Sequence, residues 1–178
     1  DKADHSFLAP PWVNGVAGQG AVVVIPNYAL CPAVTVSTIT AQMQQAVLWT
    51  LRHIAQHGGN PARLTVAGHS AGGHIVGMLL STDWLALGAQ QGVALPAQPL
   101  QHGVSISGLF DMEPIRQTPF LADLGLSPEE AARQSPALLP GPSTLGQRGR
   151  LTTVVGGDES DEFKRQNRLI QQAWGTNA

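Results

Sequence analysis

A serine between small residues, in the segment Gly68-His69-Ser70-Ala71-Gly72, is the strongest chemical signal in the sequence. The pattern Gly-x-Ser-x-Gly alone is a modest signal, because glycine-rich chains match it by chance. Here it follows an apolar run at Leu64–Ala67 and opens a helical stretch at Ala71–Leu80. This strand–turn–helix order is what a nucleophile elbow requires, so Ser70 is predicted to attack acyl carbonyl groups.

The turn around Ser70 has a steric explanation. Gly68 and Gly72 are expected to remove side chains that would collide across so tight a turn. The helix that begins at Ala71 directs its first amides and its positive dipole end at the serine, so the Ala71 amide is the predicted oxyanion-hole donor. The alternative is a glycine-rich connection in which Ser70 is an ordinary helix cap.

A partner acid is expected after a late strand. The run Leu151–Val155 ends at two glycines, and the turn that they open carries Asp158 and Glu159. Either carboxylate could accept the Nδ1–H of a catalytic histidine and stabilise its imidazolium. The alternative is that both acids only favour the N-terminus of the next helix. Asp111, on the loop after the third predicted strand, is a weaker candidate.

The base of such a triad is missing from the expected place. The order along the chain should be serine, acid, histidine, but no histidine follows His102. His69 and His74 flank Ser70 and are interpreted as structural or pocket-lining. The other histidines are predicted to be surface or packing residues without metal-ligand spacing: His5, His53, His57 and His102. Two explanations stay open, a chain that stops before its catalytic histidine and a hydrolase-like protein that binds without turnover.

The elements that must position these residues alternate between strands and helices. Short apolar, β-branched runs predict strands at Ala21–Ile25, Leu64–Ala67, Gly103–Ser107 and Leu151–Val155. Apolar spacings of three and four predict helices at Val36–Ile54, Ala71–Leu80 and Glu159–Trp174. A capping pattern that begins at Ser127 predicts a short helix through Arg133. This order implies one partial α/β domain over residues 1–178, with a mostly parallel, doubly wound sheet and helices on both faces.

The composition excludes several classes of protein. The 178 residues carry a formal net charge of −2, without the clustered basic residues that nucleic-acid binding needs. No apolar run is long enough for a membrane span, and no signal-peptide pattern is visible. One cysteine, Cys31, suits a reducing compartment, so a cytoplasmic protein is expected. Charged residues make up only 12%, as in a compact domain or one covered by further chain or a partner subunit, for example in a homodimer.

Four stretches together resemble the kynurenine formamidase (arylformamidase) branch of the α/β-hydrolase superfamily. They are VVVIPNYALCPAVTV at Val22–Val36, VAGHSAGGHIVGMLLSTDW at Val66–Trp84, SISGLFDMEPI at Ser105–Ile115 and VVGGDESDEFKRQ at Val154–Gln166. The second and fourth are the most specific, because few esterases combine GHSAGGH with an acid turn that runs into E-F-x-R-Q. The resemblance covers nearly the whole chain and implies the α/β-hydrolase fold.

The resemblance also implies an activity and its residues. It implies a serine hydrolase, without metal or organic cofactor, that removes the formyl group from the small molecule N-formyl-L-kynurenine through a formyl-serine intermediate. Ser70 matches the nucleophile of the family, and its acid, three residues before the Glu-Phe pair, falls on Glu159. Many relatives carry Asp there, so Asp158 stays the second candidate.

Two features of the family are not found in the chain. Its His-Gly-Gly-aromatic-Trp segment, which donates a second oxyanion amide, is expected before Asp1, and its catalytic histidine is expected after Ala178. The chain is therefore expected to be an internal fragment, inactive by itself. Two other functions stay open, a carboxylesterase for small esters and a non-catalytic binding module. In the region Asp83–Gly103, Trp84 is either an aryl-stacking residue or an anchor for a lid.

Overall fold

The computed structural model describes residues 15–140 and 148–178. It contains one three-stranded sheet with the order β1-β2-β3, in which both neighbouring pairs are parallel. The strands and α-helices are, in chain order, α1 (Val36–His53), β1 (Leu64–His69), α2 (Ala71–Ser81), α3 (Trp84–Gln90), β2 (Leu100–Ile106), α4 (Glu113–Arg116), α5 (Pro128–Arg133), β3 (Arg150–Val154) and α6 (Asp161–Trp174). Short 3₁₀ turns lie at Ala17–Gln19, Ile54–His57, Pro119–Leu124 and Gly175–Asn177.

The predicted elements form with small shifts at their ends, except for one strand. Ala21–Ile25 has no regular structure, so its prediction as a strand is wrong. Val22 and Val24 are 42% and 41% exposed. A strand exists only through hydrogen bonds to a neighbouring strand, and no strand of the described residues pairs with this run. Its apolar, β-branched composition suits a sheet, but composition does not supply a partner.

Side chains along each strand alternate between a face of the sheet that the helices cover and a face that is open. Val66 lies opposite Gly103, and Gly103 lies opposite Leu151. The helices cover the face that carries these residues, whereas Thr65 and Ala67, which alternate with Val66, are exposed. Right-handed crossovers between strands that are adjacent in chain order bring the connecting helices to one face. The prediction of a parallel α/β sheet is confirmed. Among the described residues the helices cover one face of this sheet, whereas the predicted doubly wound arrangement has helices on both faces.

Helix α2 lies close against the sheet because its side chains are apolar from Ile75 to Leu80 and the sheet offers a glycine beneath them. A Cβ on Gly103 would come within 2.6 Å of Leu80 and 2.7 Å of Val76. The main cluster of buried residues joins α1, α2, the sheet and α6, and it contains Met43, Val47, Leu48, Ile75, Val76, Leu79, Leu80, Trp84, Leu100, Phe110, Leu151, Ile170 and Trp174. Burial of this apolar surface holds β1 and the turn after it on a rigid support.

A fully buried glutamine attaches α6 to the loop after β2. Gln166 accepts hydrogen bonds from the backbone amides of Phe110 and Asp111, both at 2.8 Å. Its side-chain amide donates to the Asp111 carbonyl and to Glu162, also at 2.8 Å. Arg165 adds an ion pair with Asp111 at 3.0 Å. The segment E-F-x-R-Q therefore supplies the contacts that hold this loop in place.

We expect Gln166→Leu to lower the free energy of unfolding by about 2–4 kcal/mol, because two backbone amides at a buried contact would lose their acceptor. Urea unfolding of the full-length gene product, followed by circular dichroism, measures the change. The control is Gln172→Leu on the same helix, where the side chain is exposed and the same substitution should change stability by less than about 0.5 kcal/mol. Equal effects of the two substitutions would contradict the role given to Gln166.

Candidate active site

Two serines directly follow two neighbouring strands, and both have a positive φ. Ser70 follows β1 with φ 54°, and Ser107 follows β2 with φ 50°; among the described residues no other non-glycine residue has a positive φ. The Ser70 amide donates to the Ile106 carbonyl at 2.9 Å, and the Ser107 amide donates to the Val154 carbonyl at 2.7 Å. Each hydrogen bond extends the ladder by one residue, so both turns start from defined positions at the carboxyl edge of the sheet.

Ser70 is not an ordinary helix cap. The capping residues Thr35, Ser127 and Ser160 have extended ψ values, and the side chain of each accepts a hydrogen bond from the first turn of its helix. Ser70 has φ 54° and ψ −116°, and its side chain makes no such bond to α2. Strain of this kind persists only where the surroundings enforce it. The hydroxyl of Ser70 is therefore not engaged by the helix that it precedes.

The glycines around Ser70 differ from the expectation in one respect. A Cβ on Gly68 would overlap the backbone of Gly72, so the first glycine of the motif is required, as predicted. A Cβ on Gly72 would meet nothing within 4 Å, so the prediction for that residue is wrong. The crowded position is Gly73, where a Cβ would lie 2.6 Å from the Ser105 hydroxyl and 2.8 Å from the Gly108 Cα. The packing of α2 against the end of β2 explains this difference.

The helix after Ser70 begins at Ala71, as the sequence predicts. Ala71 is the first residue of α2, and the first hydrogen bond of the helix runs from the His74 amide to the Ser70 carbonyl at 3.0 Å. The amides before His74 have no carbonyl one helical turn back within α2. They are therefore available, at the positive end of the helix dipole, to an oxygen that carries negative charge beside Ser70.

Glu159 is held against the edge of the sheet. Its Oε1 accepts hydrogen bonds from the Ser107 hydroxyl at 2.6 Å and from the Gly156 amide at 2.9 Å. The bond from Ser107 is the main reason that the pKa of Glu159 is lowered, and the Gly156 amide and the positive charges of His69 and Lys164 act in the same direction. The carboxylate is therefore the preferred form at neutral pH, although partial desolvation opposes it.

The two other candidate acids are placed differently. Asp158 is exposed at the tip of the turn, whereas Glu159 is partly buried. Asp111 pairs with Arg165 and accepts the Glu113 amide at 3.1 Å, so its carboxylate belongs to the contacts that hold the loop after β2. Of the three acids, Glu159 is the one that the structure joins to the ends of both β2 and β3.

The described histidines fall into three surroundings. His74 is buried, its Nε2 lies 2.7 Å from the Gln134 carbonyl, and burial lowers its pKa to about 4. It is a structural residue, as expected. His53 stacks on Trp49, and His57, in the 3₁₀ turn after α1, lies near the same indole ring. His69 and His102 have exposed side chains on the sheet, and His5 lies outside the described residues.

Trp84 is a buried residue, and Ser70 does not line the open cleft beside α3. Trp84 is 2% exposed and its indole N–H donates to the Leu79 carbonyl at 3.2 Å, so it anchors α3 and is not placed for aryl stacking. An open cleft of about 340 Å³ lies between α1, α2 and α3, beside Gln44 and Asp83. Within the ranges that the structure describes, no group of three or more His, Cys, Asp or Glu could hold a metal ion, and no helix is long and apolar enough to cross a membrane.

The local sequence pattern does not single out Ser107 as a residue of this site. The third strand was predicted to include it, whereas β2 ends at Ile106 and Ser107 begins a turn. The dipeptide Ser107-Gly108 is a turn signal and could have indicated this end of the strand. The contact between Ser107 and Glu159 could not have been found in this way, because 52 positions separate the two residues.

Comparison with known proteins shows the family of the chain. The family model of the alpha/beta hydrolase fold matches residues 12–174. A kynurenine formamidase of Danio rerio is 29% identical over 97% of this chain and 54% of its own length. One of Salmo salar is 29% identical over 93% of this chain and 52% of its own length. The chain thus spans about half the length of these curated relatives.

Esterases and solved structures are also similar. Esterase LipQ of Mycobacterium tuberculosis is 29% identical over 58% of this chain and 24% of its own length. A putative thioesterase of Silicibacter sp. TM1040 has a TM-score of 0.70 and 28% identity, covering 90% of this chain and 55% of that chain. The resemblance based on the four stretches is confirmed. The chain therefore belongs to the α/β-hydrolase family, within which it is similar to the kynurenine formamidase branch.

Proposed function

We propose that the protein is a serine hydrolase that removes the formyl group from N-formyl-L-kynurenine, giving kynurenine and formate. The observation that carries the proposal is the strained Ser70, which follows β1, precedes the N-terminus of α2 and leaves its hydroxyl free of capping. The similarity to kynurenine formamidases over nearly the whole chain supports the choice of substrate.

In the proposed reaction Ser70 attacks the formyl carbon while a histidine takes the proton of its hydroxyl. The Ala71 amide and a second amide stabilise the oxyanion of the tetrahedral intermediate. The aromatic amine of kynurenine leaves with the proton from the histidine, which leaves a formyl-serine. Water, activated by the same histidine, then releases formate and restores Ser70. The proposal assigns neither the histidine nor the second amide to a described residue; His74 is engaged by Gln134, and no histidine follows His102.

The spacing of the sheet supports Glu159 as the acid. Ser70 follows β1 and Glu159 follows β3, and strands two places apart are about 10 Å from each other. The side chains of Ser70 and Glu159 can close part of this distance, so that one imidazole with a hydrogen bond at each nitrogen can join them. Asp158 is the second candidate, because it lies on the same turn.

We expect Ser70→Ala to lower kcat for N-formyl-L-kynurenine in the full-length gene product by several orders of magnitude, as removal of a nucleophile does. Stopped assays of kynurenine release measure the rate. Ser127→Ala is the matched control, since Ser127 caps α5 and the loss of that bond should cost about 1 kcal/mol of stability while kcat stays unchanged. A Ser70→Ala variant that kept most of its rate would exclude Ser70 as the nucleophile.

The substrate is tested by comparing kcat/KM for N-formyl-L-kynurenine with kcat/KM for p-nitrophenyl acetate in one buffer. The proposal predicts a ratio well above one, because a site shaped for an aryl formamide stabilises that transition state selectively. The second candidate function, a carboxylesterase for small esters, is favoured by the similarity to esterase LipQ and predicts a ratio far below one. Absence of turnover with both substrates would support a non-catalytic binding module.

The identity of the acid is tested by two isosteric substitutions on neighbouring residues. Glu159→Gln should lower kcat about 10³–10⁴-fold, because the imidazolium would lose its negative partner while the geometry is kept. Asp158→Asn should leave kcat within a small factor of the wild type, because this side chain is exposed. Steady-state rates at one pH measure both, and a larger loss for Asp158→Asn would reverse the assignment.

A further inference from the structure

We propose that Ser107 is the positioning residue of the catalytic acid: its hydroxyl holds one oxygen of Glu159 at the carboxyl edge of the sheet, so that the other oxygen can accept the N–H of the histidine. The inference rests on the proposed function, because it takes Glu159 as the acid. Ser107 itself touches neither the substrate nor the reacting atoms in this proposal.

The hydrogen bonds of the carboxylate are distributed unequally. Both bonds that the structure gives to Glu159, from the Ser107 hydroxyl at 2.6 Å and from the Gly156 amide at 2.9 Å, end on Oε1. Within the described part of the chain, no hydrogen bond uses Oε2. A carboxylate oxygen has two lone pairs to offer, and bonds from hydroxyl and amide donors to an ionised acceptor are among the stronger ones in proteins. One oxygen is therefore anchored by the protein and the other is left for an incoming donor.

The backbone of Ser107 shows why its hydroxyl is well placed for this task. Ser107 is 4% exposed and has φ 50°, a conformation that non-glycine residues rarely adopt. Its backbone amide donates a hydrogen bond to the Val154 carbonyl at 2.7 Å, which continues the pairing of β2 with β3, the strand that leads to Glu159. The donor and the strand before the acid are thus connected through one rigid ladder, and the strain at Ser107 is maintained by that ladder.

A glutamate needs such an anchor more than an aspartate does. The side chain of Glu159 has one more rotatable bond than an aspartate at the same position, so more conformational freedom must be lost before its carboxylate is held in one place. The Ser107 hydroxyl and the Gly156 amide restrict it from the two strand ends that flank it. Without the Ser107 hydroxyl, the hydrogen bond from the Gly156 amide would be the one that remains to the Glu159 carboxylate among the described residues.

The chain offers a close control for Ser107. Ser105 lies two residues earlier on β2, is 0% exposed and, among the described residues, its hydroxyl has no hydrogen-bond partner. Ser105→Ala and Ser107→Ala therefore remove the same atom from the same strand end, but only the second removes a bond to Glu159. Both variants are compared in the full-length gene product with N-formyl-L-kynurenine and with p-nitrophenyl acetate.

We expect Ser107→Ala to lower kcat on the order of ten- to a hundredfold, the usual effect of losing a hydrogen bond to a charged group, with little change in KM. Ser105→Ala should retain the wild-type kcat. In a Glu159→Ala background, Ser107→Ala should cause no further loss, because a residue that acts through the carboxylate has no effect once the carboxylate is removed. A purely structural role would lower the rate in both backgrounds.

Ser107→Gly keeps the test decisive if Ser107→Ala does not fold. Glycine adopts φ 50° without strain, so this variant removes the hydroxyl while the turn is preserved, and its kcat should fall as in Ser107→Ala. If Glu159→Gln is impaired but Ser107→Gly has the wild-type kcat, the positioning role is wrong and the proposed function stands. If Glu159→Gln itself keeps the wild-type rate, the assignment of the acid is wrong, and the role of Ser107 falls with it.

Discussion

The amide of Ser70 donates a hydrogen bond to the carbonyl of Ile106, and the placement of the candidate site depends on this bond. It ties the turn after β1 to the end of β2, as the equivalent bond from Ser107 ties β2 to β3. Because the strands are parallel and adjacent in chain order, their carboxyl ends lie at one edge of the sheet. Ser70, the first amides of α2 and Ser107 therefore take their positions from the backbone ladder.

The most specific parts of the resemblance have different physical meanings. In the segment that contains Ser70, Gly68 and Gly73 permit backbone approaches that no side chain would allow. In the segment E-F-x-R-Q, Glu162, Arg165 and Gln166 hold the loop after β2 through Asp111 and two backbone amides. The third stretch, which contains Asp111, and the fourth, which contains Gln166, are thus joined to each other by hydrogen bonds. The segment E-F-x-R-Q therefore attaches α6 to the loop after β2 through buried hydrogen bonds.

Local patterns were sufficient to predict most of the fold. The cap at Ser127, the apolar spacing of α1 and the strand–turn–helix order at Ser70 each depend on residues close in sequence. The errors concern contacts between distant residues. Ala21–Ile25 has the composition of a strand but no paired neighbour among the described residues, and the crowding at Gly73 arises from Ser105 and Gly108. The sequence likewise left Asp158 and Glu159 equal on local grounds, and the contact of Ser107 with Glu159 distinguishes them.

The buried imidazole of His74 makes the stability of the fold around this site depend on pH. Its pKa is lowered to about 4 in the folded protein, whereas an unfolded histidine titrates near 6.5. Between these two values the unfolded chain binds the additional proton, so the stability that neutral His74 contributes is complete above about pH 6.5 and decreases as the pH falls toward about 4. The residue lies on α2, one turn after Ser70, so its protonation would destabilise the helix whose first amides follow this serine.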